Sequence, residues 1–306
     1  MIDELMRKVE ELKRRRRAFI IAHNYQLPEV QEVADFVGDS LEMAMKAEEV
    51  DADVIVVAGV RFMAEVAKLL NPDRVVLHPE PRAGCPLADH MTPEIIKRFR
   101  ENYPHAPLVT YVNSSVEAKA LSDYVVTSAS AVKVVSKLED EVVLFGPDKN
   151  LAKFVAHRTN KDIIAVPPWG HCPVHEFLVS PYYLRKAKER HPHCKLLVHP
   201  EAPWESQKMA DFVGSTSQML RAIGELGAKC YILGTEEGLS YRAKKMYPHV
   251  EVYPPDARTI CIDMKKITLD KIVRALETLK PQVVLDEEVA KRAREAVVRG
   301  LELARS

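Results

Sequence analysis

The sequence has no excess of charge of either sign. Across 306 residues, 44 lysines and arginines face 44 aspartates and glutamates. This excludes a nucleic-acid protein that holds phosphates by bulk electrostatics, although it leaves room for local anion pockets. Long apolar runs are also missing, and none approaches the ~18 residues a membrane helix needs. The amino-terminal stretch MIDELMRKVEELKRRRR is a charged helix without the apolar segment of a secretory signal, so the expectation is a cytoplasmic protein with no membrane partner. Hydrophobic residues at 47% and charged residues at 29% exclude wholesale disorder. Length alone suggests roughly two domains.

Cysteine is scarce and unpaired in pattern. There are five, an odd number, and no two stand closer than the 22 residues between Cys172 and Cys194. Such spacing resembles no disulfide framework. In a reducing compartment these residues are buried apolar groups, catalytic thiols or metal ligands.

An internal repeat of 88 residues replaces the two-domain estimate. ADFVGDS ends at Ser40, SDYVVTS at Ser128 and ADFVGST at Thr216. His23, Tyr111 and His199 keep the same period, as do Tyr25, Asn113 and Glu201, and Thr92, Ser180 and Thr268; Gly59, Gly146 and Gly234 follow it to within one residue. The chain is three copies of one unit. Each copy reads as a short buried strand, helical patterns, a second strand (Val54 to Val57, Glu141 to Phe145, Lys229 to Leu233), a helix and a third strand. A proline-rich loop then leads to a helix N-capped by Thr92, Ser180 or Thr268. Strands alternating with helices imply small parallel sheets covered on both faces. The expected fold is therefore α/β, with three αβα layers about a pseudo-threefold axis. An N-terminal helix over 1–17 and a C-terminal helix over 282–306 flank repeats at 18–105, 106–193 and 194–281.

Ligands of open parallel sheets bind beyond the carboxyl ends of the strands. There the repeats place His23 and Tyr25, Tyr111 and Asn113, His199 and Glu201. Any one of these is unremarkable as a packed or solvated side chain, but six at equivalent positions converge on one cavity if the axis is threefold. Ser40, Ser128 and Thr216 each begin a helical pattern, and Ser215 adds a hydroxyl beside Thr216. Alone each is an N-cap; together, three helix N-termini aimed at one centre would hold carboxylates or phosphate. Cys85, Cys172 and Cys261 each fall in the loop after a third strand. Three thiolates meeting on an axis suit a 4Fe–4S cluster with one iron left open, since soft sulfur ligands select iron–sulfur or zinc. Zinc is the alternative, because His171, Cys172 and His175 form a compact group and Asp89 and His90 follow Cys85. Cys194 and Cys230 have no counterparts in the other repeats, and packing is the better reading for Cys230.

The motifs AHNYQ, ADFVGDSL, GVRFMAE, AGCPLAD, TYVNSS, FGPDKNLA, GHCPVHE, HPE, GST and CIDMK, spread over residues 22 to 265, closely resemble those of the quinolinate synthase family. The resemblance implies three αβα domains and a 4Fe–4S cluster on Cys85, Cys172 and Cys261. It implies condensation of iminoaspartate with dihydroxyacetone phosphate to quinolinate for NAD biosynthesis, with an aspartate-oxidising enzyme supplying the imine. Family substrate contacts map onto His23, Ser40, Tyr111, Val112, Asn113, Ser128, His199, Pro200, Glu201 and Thr216, and Tyr25 and His175 match active-site positions. Ala202 stands where some members carry a further cysteine. The implied mechanism uses the open iron as a Lewis acid on the condensed intermediate. Glu201 and Tyr25 would transfer protons, with His23 or His199 orienting carboxylates. Two rivals share parts of this pattern: the diphthamide-synthesis radical enzymes, whose protein substrate fits the ring of small polar groups poorly, and a non-catalytic iron–sulfur sensor.

Overall fold

Each repeat folds into one four-stranded parallel sheet. In the computed structural model, which describes residues 2–306, the first repeat supplies β1 (Ala18–His23), β2 (Phe36–Gly38), β3 (Val54–Ala58) and β4 (Val75–Leu77). The second supplies β5 (Leu108–Tyr111), β6 (Tyr124–Val126), β7 (Val142–Gly146) and β8 (Asp162–Ala165), and the third β9 (Lys195–Val198), β10 (Phe212–Val213), β11 (Cys230–Gly234) and β12 (Glu251–Tyr253). The strand orders are β2-β1-β3-β4, β6-β5-β7-β8 and β10-β9-β11-β12, with every pair parallel. The central strands are apolar throughout, as a sheet covered on both faces requires; all of VIVVA in β3 is buried. The sequence pattern missed the edge strands β2, β6 and β10. They are only two or three residues long, too short to show a period, and sit inside the segments ADFVG, SDYVV and ADFVG that first revealed the repeat.

The helix that closes each repeat packs on the next repeat's sheet. Helix Pro93–Asn102, capped by the Thr92 side chain on the Ile95 amide at 3.4 Å, buries Ile96 against Leu108, Leu144 and Val166 of the second unit. Helix Pro181–Arg190 likewise buries Leu184 and Ala187 against Leu196, Val198 and Ile232. Helix Leu269–Thr278 returns to the first sheet, where Ile272 and Leu276 pack with Ile20 and Val56 beside Val9 and Leu12 of the amino-terminal helix Ile2–Arg16. The circle is thus closed by apolar burial, at roughly 25 cal/mol per Å² of apolar surface. Ser180 and Thr268 occupy the expected N-cap positions, but their side chains accept no capping bond. Glu80, in the loop after β4, adds a polar tie by accepting from Arg82 Nε at 3.0 Å and Lys271 Nζ at 2.8 Å.

The carboxy-terminal helix Glu287–Arg305, capped by Asp286, lies on β6 and on helices Val116–Ala120 and Arg61–Leu70. Gly300 permits this approach: a Cβ there would stand 1.8 Å from the Val125 carbonyl oxygen. Cys194 and Cys230 overturn the expectation of no disulfide, and for Cys230 that of simple packing. Cys194 immediately precedes β9 and Cys230 begins the adjacent β11; their Cα atoms are 4.4 Å apart and they form a disulfide. The spacing rule failed because the partners are 36 residues apart and only the parallel pairing makes them neighbours. No helix among the described residues is long and apolar enough to cross a membrane.

Candidate active site

Sheet order changes direction between β1 and β3, and equivalently between β5 and β7 and between β9 and β11, so the crevice beyond each pair is the expected ligand position. The three crevices open into one central cavity of about 450 Å³ lined by residues of all three repeats. His23 ends β1, Tyr111 ends β5 and His199 follows β9; Tyr25, Asn113 and Glu201 stand two residues further on. All six line the cavity, with Ser40, Ser128, Thr216, His175 and the three cysteines of the repeat. Val112, Pro200 and Ser215 are not among its lining residues: Val112 is buried in the apolar core, and Ser215 donates to Asp39 Oδ2 at 2.9 Å.

A line of hydrogen bonds crosses the cavity wall. The Tyr25 hydroxyl lies 2.5 Å from Thr235 Oγ1, which lies 2.9 Å from His175 Nε2. His175 Nδ1 is 2.9 Å from Glu201 Oε2 and 3.2 Å from Cys172 Sγ. Glu201 Oε1 accepts from the Tyr111 hydroxyl at 2.6 Å and from Asn113 Nδ2 at 3.4 Å. With Nδ1–H facing the carboxylate, Nε2 is the acceptor for Thr235, which accepts in turn from Tyr25. Tyr25 is thereby connected to Glu201 through groups that both give and take protons.

Burial and charge assign the protonation states. Burial by itself pushes the Glu201 carboxyl up, but the facing His175 and His199 rings and the bonds from His175 and Tyr111 hold it below the usual carboxylate range. Asp148, buried beside it, goes the other way: burial first and the Glu201 charge second raise it well above that range. Two neighbouring carboxyls are thus pushed apart, Glu201 ionised and Asp148 protonated. Burial, then the Glu201 charge, raises both Tyr25 and Tyr111, so each phenol keeps its proton as a donor. His23 and His199 fall to about 3, chiefly through burial. Their Nδ1 atoms accept the backbone N–H groups of Tyr25 at 3.2 Å and Glu201 at 3.3 Å. Both rings are therefore neutral, with Nε2–H left as a donor.

The helix N-termini differ in detail from the sequence expectation. Asp39 and Ser215 are the caps of helices Ser40–Glu49 and Thr216–Leu226, each in a capping box, so Ser40 and Thr216 are first helical residues. Ser128 lies before Ser130, which precedes helix Ala131–Lys137. Asp39 already neutralises one N-terminus with its own carboxylate, so the three ends are not equal as anion sites. No lysine or arginine is among the cavity-lining residues, so the donors on offer are these helix ends, the neutral histidines and neutral hydroxyl and amide groups such as Tyr25 and Asn113.

Cys85, Cys172 and Cys261 are free thiols on the loops after β4, β8 and β12, and all three face the cavity. Burial raises each one; Cys261 reaches about 11. Three thiols that resist ionisation alone fit a group that brings positive charge to them. The grouped zinc alternative separates: His171 Nδ1 bonds the Trp169 carbonyl at 2.8 Å, outside the cavity, whereas His175 is buried within it. Cys172, His175 and Glu201 instead place one ligand atom each within 4.8 Å of one another.

Thr235 and Asp148 were missed as functional positions. Thr235 follows the repeated Gly234 at the end of β11, so the strand order would have pointed to it, but strand order is not visible without the missed edge strands. Asp148 lies in FGPDKNLA and reads locally as a cap, which it is, through Oδ1 on the Leu151 amide at 2.8 Å; its Oδ2 is buried without a partner.

Comparison with known proteins gives a single answer. The family described as Quinolinate synthetase A protein matches residues 7–302. A quinolinate synthase of Pyrococcus furiosus is 49% identical over 304 residues, covering 99% of both chains. Those of Thermococcus onnurineus and Thermotoga maritima are 47% and 44% identical, again over 99% of both chains.

Proposed function

The chain belongs to the quinolinate synthetase A protein family, and on that premise we propose that its central cavity condenses iminoaspartate with dihydroxyacetone phosphate to quinolinate, releasing phosphate and water. The observation that carries this reading is the line from Tyr25 through Thr235 and His175 to Glu201 and Tyr111, which joins acid and base groups of three repeats at one central cavity. Condensation and ring closure need protons both taken from carbon and nitrogen and given to departing oxygen. Glu201 Oε2 is the base, kept ionised and oriented by His175 and Tyr111. The Tyr25 hydroxyl is the acid at the far end; its reprotonation through Thr235 Oγ1 requires the line of hydrogen bonds to reverse, with His175 carrying its proton on Nε2 and handing it on while Nδ1 takes the one gained by Glu201. His23 and His199 present Nε2–H to the substrate carboxylates without adding a titrating charge. Ser40, Ser128 and Thr216 hold the remaining anionic oxygens. The imine hydrolyses readily in water, which makes a nearby aspartate-oxidising enzyme its natural supplier.

Cys85, Cys172 and Cys261 would hold the 4Fe–4S cluster, leaving one iron without a protein thiolate. When bound, the cluster supplies a Lewis acid for polarising an oxygen of the substrate. A second reading, a single divalent metal on Cys172, His175 and Glu201, draws on the proximity of those three ligand atoms. An anaerobic assay with both substrates tests the proposal. Quinolinate and phosphate should appear together, in protein carrying about four irons per chain. Phosphate without quinolinate overturns the reaction, and one zinc per chain in place of iron supports the second reading.

A further inference from the structure

Positions 31, 119 and 207 also stand 88 residues apart, and none was singled out by the sequence. They are Gln31, Lys119 and Gln207, polar side chains buried to 96% or more. Gln31 Nε2 donates to the carbonyls of Asn24 at 3.2 Å and Gln26 at 2.9 Å. Gln207 Nε2 donates to those of Pro200 at 2.9 Å and Ala202 at 2.8 Å. Lys119 Nζ donates to the Ser114 carbonyl, five residues upstream as in the other two copies. One amide thus spans the carbonyls on either side of Tyr25, and another spans those on either side of Glu201. The Lys119 bond fixes the carbonyl that follows Asn113. Gln31 reaches one step further, to the Gly238 carbonyl of the third repeat at 3.3 Å. A Cβ on Gly238 would stand 2.8 Å from the Tyr25 carbonyl carbon, so the loop is pressed against its neighbour there.

We propose that Gln31, Lys119 and Gln207 are positioning residues, one per repeat, that clamp the loops bearing Tyr25, Asn113 and Glu201 into their working geometry. The inference rests on the reading of the central cavity as the catalytic one. These loops leave the sheet at its carboxyl edge, where their carbonyls have no strand to pair with. A buried carbonyl without a partner is costly, so some donor is required. A water molecule or a distant backbone group would satisfy the same carbonyls. One side-chain group holding the carbonyls at i and i+2 also fixes the orientation of the residue between them, and a displacement near 1 Å of a reacting group can cost about 10²-fold in rate. Lys119 ties a single carbonyl, that of Ser114, with an ammonium packed at 5.6 Å over the ring of Phe62, which also lines the cavity.

The test uses the cluster-loaded enzyme and exchanges donors between repeats. Gln207→Met keeps the volume and removes the donor, whereas Gln207→Lys installs the donor of the second repeat. Gln207→Met is expected to lose on the order of tenfold or more in kcat with KM little changed. Amide hydrogen exchange should quicken in residues 199–203 and stay slow in β9 and β11. Gln207→Lys should recover most of the loss in both readouts. A folded Gln207→Met with native kcat and native exchange overturns the proposal, as does an equal loss in Gln207→Lys, which would make the site one of packing alone. Should Gln207→Met fail to fold, Lys119→Gln decides: retained kcat supports the shared clamp, and a tenfold loss overturns it by tying the role to charge. Wild-type enzyme that forms no quinolinate would instead defeat the reading of the cavity, and the exchange measurement would still report on the clamp.

Discussion

The Tyr111 hydroxyl donates to Glu201 Oε1 at 2.6 Å, joining the end of β5 to the loop after β9 through two residues 90 apart in sequence. The bond does two things at once. It stabilises the ionised form of a buried carboxylate, and it leaves Oε2 free for His175 on the other side. Glu201 is therefore held ionised from both oxygens in a site that would otherwise neutralise it.

Glu201→Gln should keep the cluster absorbance and bind substrates, while turnover falls by two or more decades, within the roughly 10²–10⁴-fold span of one general acid or base. Steady-state kinetics on the cluster-loaded protein measure it. Near-normal turnover would remove Glu201 from the mechanism. Tyr111→Phe should act through the same carboxylate, so the double variant should lose far less than the product of the two single losses.

Thr235→Val removes the hydroxyl between Tyr25 and His175 without changing side-chain volume. If protons pass along this line, kcat should fall by roughly tenfold to a hundredfold, less than for loss of the base itself. Binding of quinolinate should be unchanged, since Tyr25 and Glu201 both remain. Native kcat in this variant would show that Tyr25 is reprotonated by another route.

Much of this architecture was legible because the repeat carries its own control. Equivalent positions 88 residues apart separated His23, Tyr111 and His199 from ordinary loop residues, and placed Cys85, Cys172 and Cys261 on matching loops. What stayed hidden depends on pairing between distant segments. The edge strands β2, β6 and β10 are defined by a neighbour rather than by a pattern of their own. The Cys194–Cys230 bridge needs the β9–β11 pairing, and Thr235 gains its role only where that pairing aims it at Tyr25 and His175. The exchange of the closing helices between units is likewise invisible to periodicity, since a helix shows its apolar face but not the sheet that will cover it.

Ser128 and Ser215 separate binding from capping. Ser128 precedes its helix and supplies no cap bond, yet it faces the cavity. Ser128→Ala should therefore weaken quinolinate or substrate-analogue binding by about 1–3 kcal/mol, as for loss of a hydrogen bond to a buried anionic oxygen, and leave Tm unchanged. Ser215→Ala should do the reverse, costing about 1 kcal/mol of stability as a lost N-cap with little effect on affinity. Calorimetric titration and thermal unfolding read the two effects separately.

Glu80 links pH to the closure of the ring. Hydrogen bonds from Arg82 first, and Lys271 second, hold its carboxyl well below the usual carboxylate range. A carboxyl lowered by folding contributes stability that is complete above its ordinary value of 4.5 and is lost as pH falls toward the lowered one. Glu80→Gln should thus reduce Tm by a few degrees at pH 7, and the gap to wild type should narrow as the medium is acidified below pH 4.5. A gap that stays constant with pH would assign the loss to packing rather than to the charge.

The five cysteines provide the most unequal forecast for residues of one type. Cys85, Cys172 and Cys261 face one cavity, whereas Cys194 and Cys230 face each other at the amino-terminal ends of β9 and β11, the opposite ends of these strands from it. Serine is a poorer ligand for iron than thiolate. Replacing any of the first three by serine should therefore abolish the brown absorbance and the iron content of anaerobically purified protein, together with its activity. Cys194→Ser should spare all three properties. It removes a bridge closing a loop of 36 residues, so its effect should be on stability, about 2–4 kcal/mol relative to the oxidised wild type. Reductant should lower the wild type to the level of the variant and leave the variant unmoved, which separates loss of the bridge from loss of a packed sulfur. If Cys194→Ser lost iron as completely as Cys172→Ser, the threefold assignment of the thiol ligands would fail, because no equivalent of Cys194 exists in the other repeats to complete a symmetric set.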